Sequence, residues 1–277
     1  MLPVPVRVHD ATSAHPELAD RITAFLTEAL PQVAKVSSLP APQAVSFQLL
    51  DTPAFIAEYV DFARGHLLRV TRDLSLTDRE HIQLDHAAPP ILWAWRRGDW
   101  AIRPGRITAD SYGRPTTLIT VPGLKAGGLL HAPDHLDHLL LVLLAEQFQV
   151  AASQGRVVPV LNWPLTFPYR RDAVGQLSDG HAHWVAEAIQ RQLPPRSWPQ
   201  RSPAYLLQAA LEPVLEFAWM PWLLRRAVRC VEQAMLAVGP EVFNQVWNTP
   251  ALLPTLSELR RPATWADRLA DAPLPTA

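Results

Sequence analysis

The chain has 277 residues, 48% of them hydrophobic and 18% charged, with 26 acidic against 25 basic side chains. That composition excludes a disordered chain, and the balanced charge argues against a nucleic-acid binder, whose phosphate contacts need an excess of basic groups. Cys230 is the single cysteine, so no internal disulfide is possible; its apolar neighbours at helical spacing point to a buried thiol rather than a nucleophile.

The first sixteen residues read as extended, Pro-containing chain without periodicity, and carry no apolar run of signal-peptide type, so a cytoplasmic location is expected. Leu18, Ile22, Phe25, Leu26 and Leu30 then recur at helical spacing. Pro16 suits the first helical position, where a missing N–H costs nothing, and Pro31 is expected to kink or end the helix. Residues 44–50 alternate as a strand. Asp51-Thr52-Pro53 opens a second helix, whose buried face is Phe55, Ile56, Tyr59 and Phe62. Thr77-Asp78-Arg79-Glu80 fits a capping box. Trp93, Trp95 and Trp100 around Arg97-Gly98-Asp99 suggest one hairpin, and residues 106–121, turning at Ser111–Arg114, a second, with Pro115 as a strand's first residue. Residues 122–128 read as a loop.

A long apolar helix follows from Pro133 to about Ser153, then a Pro-rich loop containing Asn162, Trp163, Tyr169 and Arg170. A polar-faced helix spans residues 171–193, and the remainder is helical, interrupted at Pro213, Pro221 and Gly239-Pro240. The longest apolar run, Leu139–Ala145, is far short of the roughly 20 residues that span a bilayer. Residues 218–226 read as a core helix with snorkelling Arg side chains rather than a membrane-surface segment.

The two central helices carry the chemistry. The first ends Ala145-Glu146-Gln147-Phe148-Gln149, and the second opens Leu177-Ser178-Asp179-Gly180-His181-Ala182-His183-Trp184-Val185. The pair resembles the site helices of gluzincin-type zincin metallopeptidases, in which His-Glu-x-x-His is answered by a helix bearing a Glu-Gly pair. The tail Phe243-Asn244-Gln245-Val246-Trp247-Asn248-Thr249-Pro250-Ala251-Leu252-Leu253-Pro254-Thr255, followed by a Pro-x-x-Trp helix, is similar to that of a group of actinobacterial zinc-dependent metallopeptidases. The resemblance implies an α+β zincin-like fold over residues 1–277, as an α/β part (1–130) and a helical part (131–277).

A zinc peptidase needs two imidazoles one helical turn apart, a Glu to activate water, and a third ligand. Here the imidazole positions hold Ala145 and Gln149, one without a donor and the other a neutral amide. Glu146 keeps the water-activating position, and Asp179 is one methylene shorter than the usual third ligand. The motif is degenerate, and no metal and no cofactor is expected. A displaced site from His138, Asp179 and His183 is opposed by the apolar Val142 and by the roughly 11 Å that two helical turns span.

The expectation is a pseudoenzyme or binding protein using the old cleft for a small molecule or protein ligand, with no nucleic acid and no membrane span. The cleft would hold Ala145, Gln149, His138, His181 and Tyr169. The alternative is a metal-free acid/base enzyme of hydrolase or cyclase type in specialised metabolism, with Glu146, Asp179 and His183 as catalytic groups. A metallopeptidase with rearranged ligands ranks last. A carboxylate among Leu143, Leu144 and Phe148 needs a partner, for which an arginine such as Arg170 or Arg171 is a candidate.

Overall fold

A computed structural model describes residues 4–71, 99–157, 171–191, 200–203, 205–206 and 220–271. The capping box at 77–80, the Trp93–Trp95 segment and Tyr169 with its loop lie outside the described residues. The fold is α+β, built on a four-stranded sheet of β1 (Val6–Asp10), β2 (Val45–Leu50), β3 (Gly105–Ala109) and β4 (Pro115–Thr120). The strand order is β1-β2-β4-β3, with β1–β2 and β2–β4 parallel and β3–β4 antiparallel.

The N-terminal stretch corrects the sequence reading. Val6 and Val8 are half-buried while Arg7 and His9 are exposed, the period of two that a one-faced edge strand requires. The pattern is only five residues long and is easily lost beside the flanking prolines. Parallel neighbours need a crossover, supplied by α1 (Pro16–Ser37). Ile22, Leu26, Ala29 and Val33 form its buried face. Pro31 neither ends nor divides it. Pro31 and Thr27, whose carbonyl loses its partner, are both exposed, so water can satisfy the freed carbonyl.

Helix α2 (Thr52–Thr71) starts with the Asp51 carboxylate accepting the Ala54 N–H at 2.8 Å. Its Phe55 and Tyr59 are buried against Leu50 and Leu118 on one face of the sheet, with Ile56 and Phe62 partly buried beside them. Two further corrections follow. Trp100 belongs to a helical turn, α3 (Asp99–Ile102), and not to a hairpin. Residues expected as loop form α4 (Val121–Ala126), with Pro122 in the first turn, where proline is tolerated. The β3–β4 hairpin and Pro115 as its strand-opening residue are as expected.

Helix α5 (Pro133–Ala152) runs through the core, buried almost continuously from Leu140 to Val150. It packs on the opposite face of the sheet from α2, in the cluster containing Phe47, Leu49, Ile107 and Ile119. Gln147 fastens it there: its amide donates to the Ser46 carbonyl (2.8 Å) and the Thr117 hydroxyl (2.7 Å). Helix α6 (Arg171–Gln190) lies against α5, and α7 (Met220–Phe243) against α6. Gly180 marks the α6–α7 crossing, where a Cβ would stand 2.7 Å from the Ala227 carbonyl carbon. Cys230 is buried on α7, its thiol pushed up to about 12 by burial. Trp222, near the start of α7, is 52% exposed with the Arg226 guanidinium over its ring, so this end of the segment read as core helix is a surface.

The tail closes the helical layer through α8 (Leu256–Arg260) and α9 (Pro262–Ala270). Thr255 and Glu258 form a reciprocal capping box on α8. The Trp265 indole donates to the Leu252 carbonyl at 2.9 Å, and Arg268 ties Glu258 to the Ala251 and Leu253 carbonyls. Among the described residues, no helix is long and apolar enough to cross a membrane.

Candidate functional site

Helices α5 and α6 are cross-linked through Gln149. Ala145 is fully buried and supplies no donor. Gln149, also fully buried, spends its amide on α6: Nε2 donates to the Ser178 carbonyl (3.0 Å) and to His181 Nδ1 (3.0 Å), and Oε1 accepts the Ser178 hydroxyl. Because Gln149 donates to Nδ1, His181 carries its proton on Nε2. Burial holds its pKa down at about 3, so the ring is neutral. It stacks on Phe243 (5.7 Å between centroids) and meets Trp247 edge-on (5.2 Å). The tail's aromatic residues and the second motif therefore form one packed unit.

Glu146 is buried and its pKa rises to about 8, first because burial disfavours the charged form, then because Asp179 is near, with Arg106 opposing. Asp179 is likewise raised by burial and lowered by Arg103 and Arg106. It keeps some accessible surface, although protein surrounds most of it. Both acids are thus shifted toward the protonated form. Among the described residues the cationic neighbour of Glu146 is Arg106 of β3; of the arginines expected from sequence, Arg170 and the side chain of Arg171 lie outside the described residues.

His183 sits one turn beyond Asp179 and meets His138 from α5. His138 Nδ1 lies 2.7 Å from the Gln190 amide oxygen and must donate to it, since that oxygen only accepts. A neutral His138 then presents Nε2 as acceptor, 3.2 Å from His183 Nδ1. His183 donates through Nδ1 and is left with a lone pair on Nε2. Burial, and then His138, lower its pKa to about 4. Gln190 is itself oriented by donating to the Asp134 carbonyl at 3.3 Å.

His138 and His183 line a cavity of about 190 Å³ between α5, α6, the β3 entry and the 200–205 segment. Its apolar wall includes Ile102, Leu129, Leu139 and Val142; His135, Arg201 and Tyr205 complete the polar part. Of the cleft residues expected from sequence, His138 lines this cavity. Ala145, Gln149 and His181 do not, because they are consumed in the α5–α6 interface, and Tyr169 lies outside the described residues. Of the expected catalytic groups, Glu146 and Asp179 come together away from the cavity wall, and His183 is on it. Sequence reasoning missed Arg106, Arg201 and Tyr205, which reach the site from elements distant along the chain and carry no local signal.

The donor set does not fit zinc. Ala145 offers nothing, both ends of the Gln149 amide are engaged, and the facing nitrogens of His138 and His183 are spent on each other. Among the described residues, no three His, Cys, Asp or Glu side chains converge as a metal site, so His138, Asp179 and His183 do not form the displaced site considered above.

The sheet, the core helix with its buried Glu146, and the answering helix define a zincin-like α+β architecture. In agreement, residues 173–266 match the family model described as "Zincin-like metallopeptidase". The match takes in the Asp179-Gly180 helix and the aromatic tail, and stops short of α5. A crystal structure from Chloroflexus aurantiacus, described as a "putative hydrolase with a novel fold", shares the fold at a TM-score of 0.56 and 14% identity, covering 92% of this chain and 90% of that one. No curated protein matches the chain.

Proposed function

We propose that this chain is a zincin-like protein without the peptidase site, which uses the cavity beside His138 and His183 to hold a small organic ligand. The observation that carries the reading is the Gln149 amide: the residue in the second imidazole position is satisfied on both ends by Ser178 and His181, so the site is a closed helix–helix contact and the open space lies toward the start of α5. Metal analysis and ligand-observed NMR test it together. The expected result is no stoichiometric zinc after equilibration with the metal, and small-molecule binding that moves the imidazole resonances of His138 and His183. Stoichiometric zinc that is lost in His138→Ala or His183→Ala would overturn it.

A second reading, acid/base catalysis on a small substrate in specialised metabolism, draws on the Gln190–His138–His183 chain. His183 donates to His138, which in turn donates to the Gln190 amide oxygen; this relay orients both rings and leaves the His183 Nε2 lone pair for a proton on a cavity-bound molecule. The hydrolase description of the Chloroflexus protein favours water as the second reactant. Under this reading His183→Gln abolishes turnover of any metabolite the protein consumes. Loss of turnover on Glu146→Gln would add the buried acid to the catalytic set; unaffected turnover would leave it a structural pair with Asp179.

A further inference from the structure

Resting on the cavity reading above, we propose that the ligand is a small organic acid, held by its carboxylate on Arg201 at the mouth with its apolar body against Ile102, Leu129, Leu139 and Val142. Size comes first. A cavity of roughly 150 Å³ accepts benzene, so about 190 Å³ suits a carboxylated ring or a short fatty acid. Charge comes next. The described residues of the wall include an arginine and three histidines, and no Asp or Glu. Arg201 forms no ion pair among the described residues; its guanidinium rests on the Tyr205 ring, 4.9 Å from the centroid. A stacked guanidinium keeps its planar fork for bidentate binding of a carboxylate.

Arg201 is also held in place. Ser202 donates its N–H to the Ala126 carbonyl at 2.9 Å. Gly128, at φ +71°, lets the Gln200 backbone approach so closely that a Cβ there would stand 2.3 Å from the Gln200 carbonyl oxygen. On the other side the Ser202 hydroxyl accepts the Tyr205 N–H at 3.1 Å. The residues flanking Arg201 are thus pinned to α4 and to the turn that carries Tyr205, and the guanidinium is positioned where an exposed surface arginine would ordinarily wander.

Calorimetric titration of the full chain with matched acid and amide probes tests the proposal: benzoate against benzamide, and hexanoate against hexanamide. Each acid is expected to bind about tenfold or more tighter than its amide, the scale of a charge-assisted contact. Arg201→Gln, at an exposed position, removes that preference and leaves amide binding unchanged. Leu139→Trp, which fills the cavity, abolishes binding of all four. Amides binding as tightly as acids, or a preference that survives Arg201→Gln, overturns the acid assignment and leaves the cavity reading standing. If none of the four binds, both fall.

Discussion

Glu146→Gln is the most informative single change, because it separates a buried acid that is neutral from one that is charged. With a pKa of about 8 in the folded chain against about 4.3 in an unfolded one, Glu146 holds a proton in the native state that the unfolded state has released. The unfolded state therefore gains from rising pH. The stability Glu146 contributes is complete below about pH 4, and is lost as pH climbs through 8. One pH unit is worth about 1.4 kcal/mol per proton, so from pH 5 to 8 the loss is about 2–4 kcal/mol, the upper figure applying if the native state keeps its full proton. His181 and His183 act in the opposite sense. Their native pKa values near 3 and 4 make stability rise with pH until the unfolded histidines have titrated at about 6.5. The two effects set a maximum near pH 6–7 and a fall above it that belongs to Glu146, in the same sense as the raised Asp179. Urea unfolding at pH 5, 6.5 and 8 measures this directly. Glu146→Gln, isosteric with the protonated acid, is expected to match the parent at pH 5 and to exceed it by about 2–4 kcal/mol at pH 8. A difference between the two proteins that does not change with pH would refute the reasoning, since it would mean that Glu146 is ionised in the native state throughout.

Three further outcomes follow from the packing. Gln149→His restores an imidazole but forfeits the bonds to Ser178 and His181, and it should lower urea-unfolding stability by about 2–3 kcal/mol without zinc uptake by metal analysis. Gly180→Ala forces a Cβ against the Ala227 backbone, and overpacking of this kind costs about 1–3 kcal/mol, read as a lower urea midpoint at unchanged slope. Thr255→Ala deletes the reciprocal cap of α8, and should lower stability in thermal unfolding by about 0.5–2 kcal/mol.

Long helices with proline or Asp at their starts were legible in the sequence, because caps and 3.6-residue spacing are local signals: α1, α2 and α5 begin at or beside their expected residues. The β3–β4 hairpin was legible for the same reason. What was lost is non-local. β1 is held by pairing with β2, and five alternating residues beside prolines give too short a pattern. Within the apolar run of α5, the polar residues 146, 147 and 149 read as anomalies, yet each is answered from a different direction: Arg106 on β3, Ser46 and Thr117 on β2 and β4, Ser178 and His181 on α6. Nothing local pointed to Arg106, forty residues upstream on a strand, as a cation near Glu146. Helical spacing could place His138 and His183 each on a face near the motif residues; the pairing between them depends on how α5 and α6 are set against each other, which no local pattern carries.

That setting is itself informative about the site. Helices α5 and α6 are joined by the neutral Gln149 amide. Both ends of that amide are engaged within the contact. The groups around it differ: Glu146 and Asp179 share a buried position that favours a proton, and His183, on the cavity wall with His138, is held below its ordinary value by burial. A proton donor and a proton acceptor, both poised away from their solution values, thus flank a rigid seam. An inert helix pair would need neither. Their coexistence beside an open cavity is the physical reason for looking for a small-molecule ligand before concluding that the scaffold is only structural.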